Sequence, residues 1–257
     1  MLEMAPRFIG LFAAGVFGGA VNSVAGGGTL ISFPALLAFG VPSIPANATN
    51  TAALCPGAIS SALAYREDLP GQRGLLITLL LPSLVGGLLG AVVLAITPES
   101  LFNHIVPFLV LFATVLFGGR DFFARLVRID PNPGGHVGPL ARAWGFSFQL
   151  FVAAYGGYFG AGMGILMLAS LGLMGLRDIH GMNAMKAILG SIINGMALVY
   201  FILRGLVVWP IAILMAVGAI AGGYIGARLA KRVDQKVLRV FIVVVGLLVS
   251  AWLFARR

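Results

Sequence analysis

Charge is scarce in this chain, and acidic charge is scarcest: Asp and Glu together number eight in 257 residues, and charged residues of both signs make up only 10%. A soluble domain needs about a quarter of its residues charged to cover its surface, so that class is excluded. Cysteine is nearly absent. Cys55 alone cannot form an intramolecular disulfide, and no Cys/His cluster offers a metal site. Gly26-Gly27-Gly28-Thr29 lacks the lysine of a phosphate-binding loop, so ATP is not the energy source. No Ser/His/Asp set or carboxylate pair suggests catalysis; the chain reads as a non-enzyme that needs no cofactor. The eight acids (Glu3, Glu67, Asp68, Glu99, Asp121, Asp130, Asp178 and Asp234) fall in loops or at segment ends. A buried carboxylate relay for protons or a carboxylate sodium site is therefore not expected.

What is abundant is apolar sequence. Hydrophobic residues make up 60% of the chain, and the sparse charges collect between long apolar stretches. That is the pattern of many membrane spans, with lipid as the surrounding partner. The formal net charge of +9 comes from basic residues in short loops. The preference of cytoplasmic loops for Lys and Arg accounts for them, and no nucleic-acid partner is implied. The first segment, preceded by Arg7, has the outline of a signal peptide, but it recurs in the second half, which argues against removal.

The chain repeats itself at an offset near 136 residues. Gly86-Gly87-Leu88-Leu89-Gly90-Ala91 matches Gly222-Gly223-Tyr224-Ile225-Gly226-Ala227, and the run Gly26-Gly27-Gly28 matches Gly162-Met163-Gly164. A slightly shorter offset pairs Asn50 with Asn183, Gly57 with Gly190, and Ser61 with Asn194. Five apolar segments are expected in each half: 8–21, 29–40, 47–65, 74–96 and 102–118, then 143–159, 164–176, 183–203, 207–228 and 237–254. This divides the chain into a first repeat over 1–120, a cytoplasmic linker over 121–141 and a second repeat over 142–257. Crossing the hydrocarbon core takes about 20 helical residues. The opening two segments of each half fall short of that and are separated by small and polar residues, so each pair reads as a broken-helix hairpin with its tip inside the membrane. Charge orients the halves. The loop 97–103 has no basic residue, whereas the equivalent 233–239 lies in a stretch with Arg228, Lys231, Arg232, Lys236 and Arg239. Five segments per half put these loops on opposite sides, with Arg66, Arg73 and the basic linker inside. The fold class is thus all-α: a polytopic helical membrane protein of two inverted repeats. Arg256 and Arg257 then lie outside, against the charge rule.

Broken helices expose free N–H groups and positive dipole ends, which suit an anion. The first tip offers Asn22, Ser23, Gly26, Gly27, Gly28 and Thr29; the second offers Gly160, Gly162 and Gly164, flanked by Tyr155 and Tyr158. The plainer reading of such glycines is close helix packing, and it is the favoured one for Gly86, Gly90, Gly222 and Gly226. In the third segments, Asn47, Asn50, Gly57 and Ser61 share a helical face, as do Asn183, Lys186, Gly190 and Asn194. Lys186 is the charge most clearly inside a span. It either serves the substrate or snorkels to the cytoplasmic interface. His180 reads as interfacial. Few acids, a lysine in a span and open helix ends favour a small anionic substrate over a cation.

At these motifs the sequence resembles the sulfite exporter TauE/SafE family of bacterial membrane permeases. The stronger match is Gly18-Gly19-Ala20-Val21-Asn22-Ser23-Val24-Ala25-Gly26-Gly27-Gly28-Thr29-Leu30-Ile31-Ser32-Phe33-Pro34 with Ala46-Asn47-Ala48-Thr49-Asn50; the second is Gly157-Tyr158-Phe159-Gly160-Ala161-Gly162-Met163-Gly164. The resemblance implies a secondary transporter in the bacterial inner membrane that exports a sulfur oxyanion such as sulfite, or an organosulfonate. Alternating access between the halves is the mechanism expected. A passive anion channel and a non-transporting scaffold stay open as alternatives, as does a homo-oligomeric assembly. Met163 interrupts the second glycine run, and Ser170 stands where Pro34 stands in the first half; both departures predict a less well-formed second tip.

Overall fold

The computed structural model describes residues 5–25, 27–64, 73–119, 139–174, 176, 179–229 and 235–255. Every regular element among them is an α-helix: α1 (Ala5–Ala25), α2 (Thr29–Ala38), α3 (Ser43–Ala64), α4 (Arg73–Ile96), α5 (Glu99–Gly118), α6 (Pro139–Tyr158), α7 (Met163–Leu173), α8 (Ile179–Leu203), α9 (Trp209–Leu229) and α10 (Gln235–Ala255). Without water in the bilayer core, a helix satisfies its own backbone, which is why apolar spans take this form. Among the described residues, α4, α5 and Gly181–Leu203 of α8 are long and apolar enough to cross a membrane by length and composition. The basic stretches Arg66, Arg120 to Asp130, and Lys231 to Arg232, with Arg256 and Arg257, lie outside the described residues.

Both expected hairpins are present, but their arms are unequal. In the first, Gly10 faces Phe39 and Gly18 faces Ser32, so α1 and α2 run antiparallel. In the second, Gly145 faces Met174 and Gly156 faces Met163. The first arms, α1 with 21 residues and α6 with 20, are longer than the segments read from hydropathy. Asn22 and Ser23 continue α1 because isolated polar residues do not stop a helix whose i−4 carbonyls remain available. The helix ends only at the glycines. Pro139 likewise starts α6 ahead of position 143, at a first-turn position where its missing N–H costs nothing. Only the second arms are short. With 10 and 11 residues, α2 and α7 reach about 15–17 Å, or half of the hydrocarbon thickness.

Helix packing is symmetric under exchange of the halves. The most extensive interface, α1 with α9, has its counterpart in α4 with α6; α3 with α9 matches α4 with α8, and α5 with α10 and α3 with α8 are their own counterparts. Gly15 lies against Met215 and Gly19 against Ala219, so α1 and α9 are parallel. Gly86 against Leu150 and Gly90 against Ala154 make α4 and α6 parallel too. With consecutive helices alternating in direction, α1 and α9 are parallel, and α4 and α6 likewise, only when the second half is inverted relative to the first.

Glycine lets these interfaces close to backbone contact. A β-carbon on Gly19 would lie 2.1 Å from the Ala219 carbonyl oxygen, and one on Gly222 would lie 1.9 Å from that of Val16. In the other half, β-carbons on Gly90 and Gly157 would lie 2.0 Å and 2.1 Å from the oxygens of Ala154 and Gly87. Packing is therefore the role of Gly86, Gly90 and Gly222, because association in lipid depends on dispersion contact rather than on expelling water. The side-chain position of Gly226 lies outside the described residues.

Candidate functional site

The two breaks are built differently. At the first, Gly28 has ordinary helical torsions, φ −55° and ψ −36°. It is small because α1 passes close by: a β-carbon there would lie 2.3 Å from the Gly18 oxygen and 2.9 Å from Cβ of Asn22. At the second, Gly160 and Gly162 both have φ of +77°, a left-handed backbone that costs other residues about 1–2 kcal/mol. The N–H groups of Phe159 and Gly160 both donate to the Tyr155 oxygen, at 2.9 and 3.1 Å. Gly160 thus closes a wider i→i−5 turn at the end of α6, and its own left-handed backbone turns the chain out of the helix. The Tyr155 hydroxyl donates to the Ala161 carbonyl at 2.5 Å and pins the turn. The second tip is thus well formed, contrary to the expectation from Met163 and Ser170. Met163 is the first residue of α7 and its side chain is buried among α6 and α8 residues; Ser170 is buried as well.

Both breaks rest on the same stretch of α5. Gly27 sits against the Phe117 ring, and Gly162 lies against Ala113 and Leu116. Aromatic edges close around the second break: Phe33 against Phe159, Phe102 against Tyr158 and Phe112 against Tyr155, with ring centroids 5.3, 5.6 and 5.7 Å apart.

The asparagines of α3 connect the two breaks. Asn50 donates from Nδ2 to Thr29 Oγ1 at 3.3 Å, at the first residue of α2. Its other amide atom bonds the Ser32 hydroxyl, which also reaches the Gly28 carbonyl at 2.9 Å. One turn earlier, Asn47 donates from Nδ2 to the Tyr158 carbonyl at 3.0 Å, at the end of α6. Asn47 and Asn50 are 1% and 2% exposed, so these bonds form away from water, where an unmade one is costly.

In the second half, Lys186 lays its stem on the second residue of α7: Cδ is 3.2 Å from where a β-carbon of Gly164 would lie. Its Nζ donates to Asn183 Oδ1 at 3.1 Å. Asn194 Oδ1 stands 4.0 Å from the β-carbon position of Gly160. At the helix starts, the N–H groups of Thr29 and Gly164 have no hydrogen-bond partner among the described residues. Such groups, with the dipole behind them, are what a helix N-terminus offers an anion.

The residues singled out in the sequence therefore gather as two groups. Asn22, Gly27, Gly28, Thr29 and Asn50 meet at the first break. Tyr158, Gly160, Gly162, Gly164, Asn47, Asn183, Lys186 and Asn194 surround the second. Gly57 faces open space rather than a partner. Gly26, and the side chains of Ser23, Ser61 and His180, lie outside the described residues. Sequence reasoning missed Ser32 and the Tyr155 pin. Ser32 carried a usable signal, since it follows Thr29 by three residues on one helical face. It also missed the fully buried pair Gln149 and Ser83, where Nε2 donates to Oγ at 2.8 Å between α6 and α4.

Comparison with known proteins agrees with this architecture. The chain is 29% identical to the probable membrane transporter protein ORF9 of Sinorhizobium sp, over 95% of this chain and 91% of that protein. It is 29% identical to the probable membrane transporter protein YfcA of Escherichia coli K12, over 98% and 91%. A probable membrane transporter protein of Haemophilus influenzae is 26% identical over 94% and 92%. No solved structure matches the chain. The model of one family, sulfite exporter TauE/SafE, matches residues 11–253. With its hairpins, its inverted halves and this match over almost its whole length, the chain belongs to the sulfite exporter TauE/SafE family and is a membrane transporter.

Proposed function

We propose that this protein is a secondary transporter of the bacterial inner membrane that exports a small anion, a sulfur oxyanion such as sulfite or an organosulfonate, by alternating access. The observation that carries the reading is the pair of short helices α2 and α7. Each starts at a break in a helical hairpin, and each has an N–H, on Thr29 and on Gly164, with no protein partner among the described residues. Free donors and positive dipole ends in a low-dielectric interior favour anions. Lys186 beside Gly164 adds a full positive charge at one of the two helix starts. The packing of its stem on α7 and its bond to Asn183 favour a role at the break over snorkelling. The inverted, exchange-symmetric packing supports alternating access, in which the two halves trade arrangements.

Flux of sulfite and of organosulfonates into proteoliposomes tests this reading. Saturable flux without single-channel conductance is the expected result, and Lys186→Met should slow it by about tenfold or more. Wild-type rates for every anion in that variant remove Lys186 from the mechanism. Unitary conductance steps establish a channel instead.

A further inference from the structure

Asn47 holds an acceptor with nothing to accept. Its Nδ2 donates to the Tyr158 carbonyl at 3.0 Å. A carbonyl can only accept, so that contact fixes which amide atom is nitrogen. The remaining atom is Oδ1, and it is buried with no hydrogen-bond partner. Leaving such an atom unpaired costs a fold stability. A leucine at 47 would avoid that cost, at the loss of the bond to Tyr158.

The location gives the orphan acceptor a use. Tyr158 is the last residue of α6, directly before the second break. Asn50, one turn along α3, bonds the first residue of α2. The Asn47 amide therefore sits at the end of α6 beside the second break, one turn along α3 from the asparagine that holds the start of α2. In this conformation Oδ1 is sealed, so a substrate reaches it only if the joint between α3 and the end of α6 parts. The two helix-start N–H groups without a partner among the described residues, on Thr29 and Gly164, are donors, and so is the ammonium of Lys186, which bonds Asn183. A bare oxyanion pairs with those donors but sets an oxygen against Oδ1. An oxyanion that keeps one O–H pairs with both.

We infer that Asn47 Oδ1 is a specificity determinant: it accepts a hydrogen bond from the substrate and selects singly protonated oxyanions over anions of equal charge that have no proton to donate. This rests on the anion-transport reading above. A site that hydrogen-bonds a ligand hydroxyl rejects the analogue lacking it far more strongly than shape alone can.

The test uses the full chain in proteoliposomes and two monoanions of similar size, hydrogensulfite and methanesulfonate; only the first carries an acidic hydrogen. Wild-type protein is expected to move hydrogensulfite at least about tenfold faster. Asn47→Leu, which keeps volume and removes the acceptor, should bring the ratio towards one while methanesulfonate flux persists, and that residual flux also reports a folded transporter. In case this variant does not fold, competition in the wild type gives a second reading: hydrogenselenite should inhibit hydrogensulfite flux, and methanesulfonate should not. Equal flux of both anions in the wild type, equal inhibition, or an unchanged ratio in Asn47→Leu overturns the inference and leaves anion transport standing; a trapped water then satisfies Oδ1. Flux of neither anion, nor of any other, sinks the transport reading itself.

Discussion

Replacing Gly222 by alanine tests whether the α1–α9 interface is held by backbone contact. The added β-carbon would lie 1.9 Å from the Val16 carbonyl oxygen, 2.6 Å from its carbonyl carbon and 2.8 Å from its Cα. Ordinary contact begins at 3.4 Å, so the methyl and the oxygen must separate by a further 1.5 Å. All three atoms are backbone, so no rotamer change relieves the clash; α1 must move away from α9 as a unit. Overpacking of this kind destabilises by about 1–3 kcal/mol, and the loss of neighbouring dispersion contacts along the seam places Gly222→Ala at the upper end. Gly57→Ala is the control. It also adds a methyl to a glycine within a span, but nothing lies within 4 Å of that methyl. Alanine's better helix propensity makes this change neutral or stabilising by up to about 1 kcal/mol. The assay is unfolding of purified protein in mixed micelles with increasing denaturing detergent. The two variants should differ by about 2–4 kcal/mol, with Gly57→Ala the more stable. A Gly222→Ala protein as stable as the wild type refutes the argument, because α1 and α9 then do not pack as described.

Three further outcomes follow from the same geometry. Gly90→Ala, with a β-carbon 2.0 Å from the Ala154 oxygen, should destabilise as much as Gly222→Ala if the halves are equivalent, measured in the same unfolding series. Gly162→Ala forces a side chain onto a φ of +77°; it should lower stability by about 1–2 kcal/mol and slow transport by re-aiming the start of α7. Asn50→Ala removes the bonds to the half-buried Thr29 and the buried Ser32, so a loss of about 1–3 kcal/mol in the unfolding assay is expected, and no loss argues against the link between α3 and α2.

Much of the helical layout was legible because the bilayer demands it. Apolar runs of about 20 residues without charge have one low-energy form in lipid, and the glycine-rich repeats marked the helix pairs that touch. The ends of α1 and α6 were not legible. Hydropathy falls at Asn22 and Ser23, yet the backbone continues to Ala25 because hydrogen-bond geometry, not polarity, ends a helix. The asparagines at 47 and 50 stood out as rare amides in a span. Their different partners did not, since bonds linking 47 with 158 and 50 with 29 are set by how distant segments pack.

Composition, the repeat and the glycine pattern by themselves determined that this chain is a helical membrane protein of two related halves with a broken helix in each. These properties follow from local chemistry: apolar length, backbone self-satisfaction and the places where glycine interrupts a helix. Only the tertiary structure decided that both breaks settle on Ala113 to Phe117 of α5, that α3 reaches both of them through amides one turn apart, and that Asn47 retains an unmet acceptor there. Those contacts join residues far apart in the chain. Periodicity records which face of a helix is polar, but it carries no information about what that face meets.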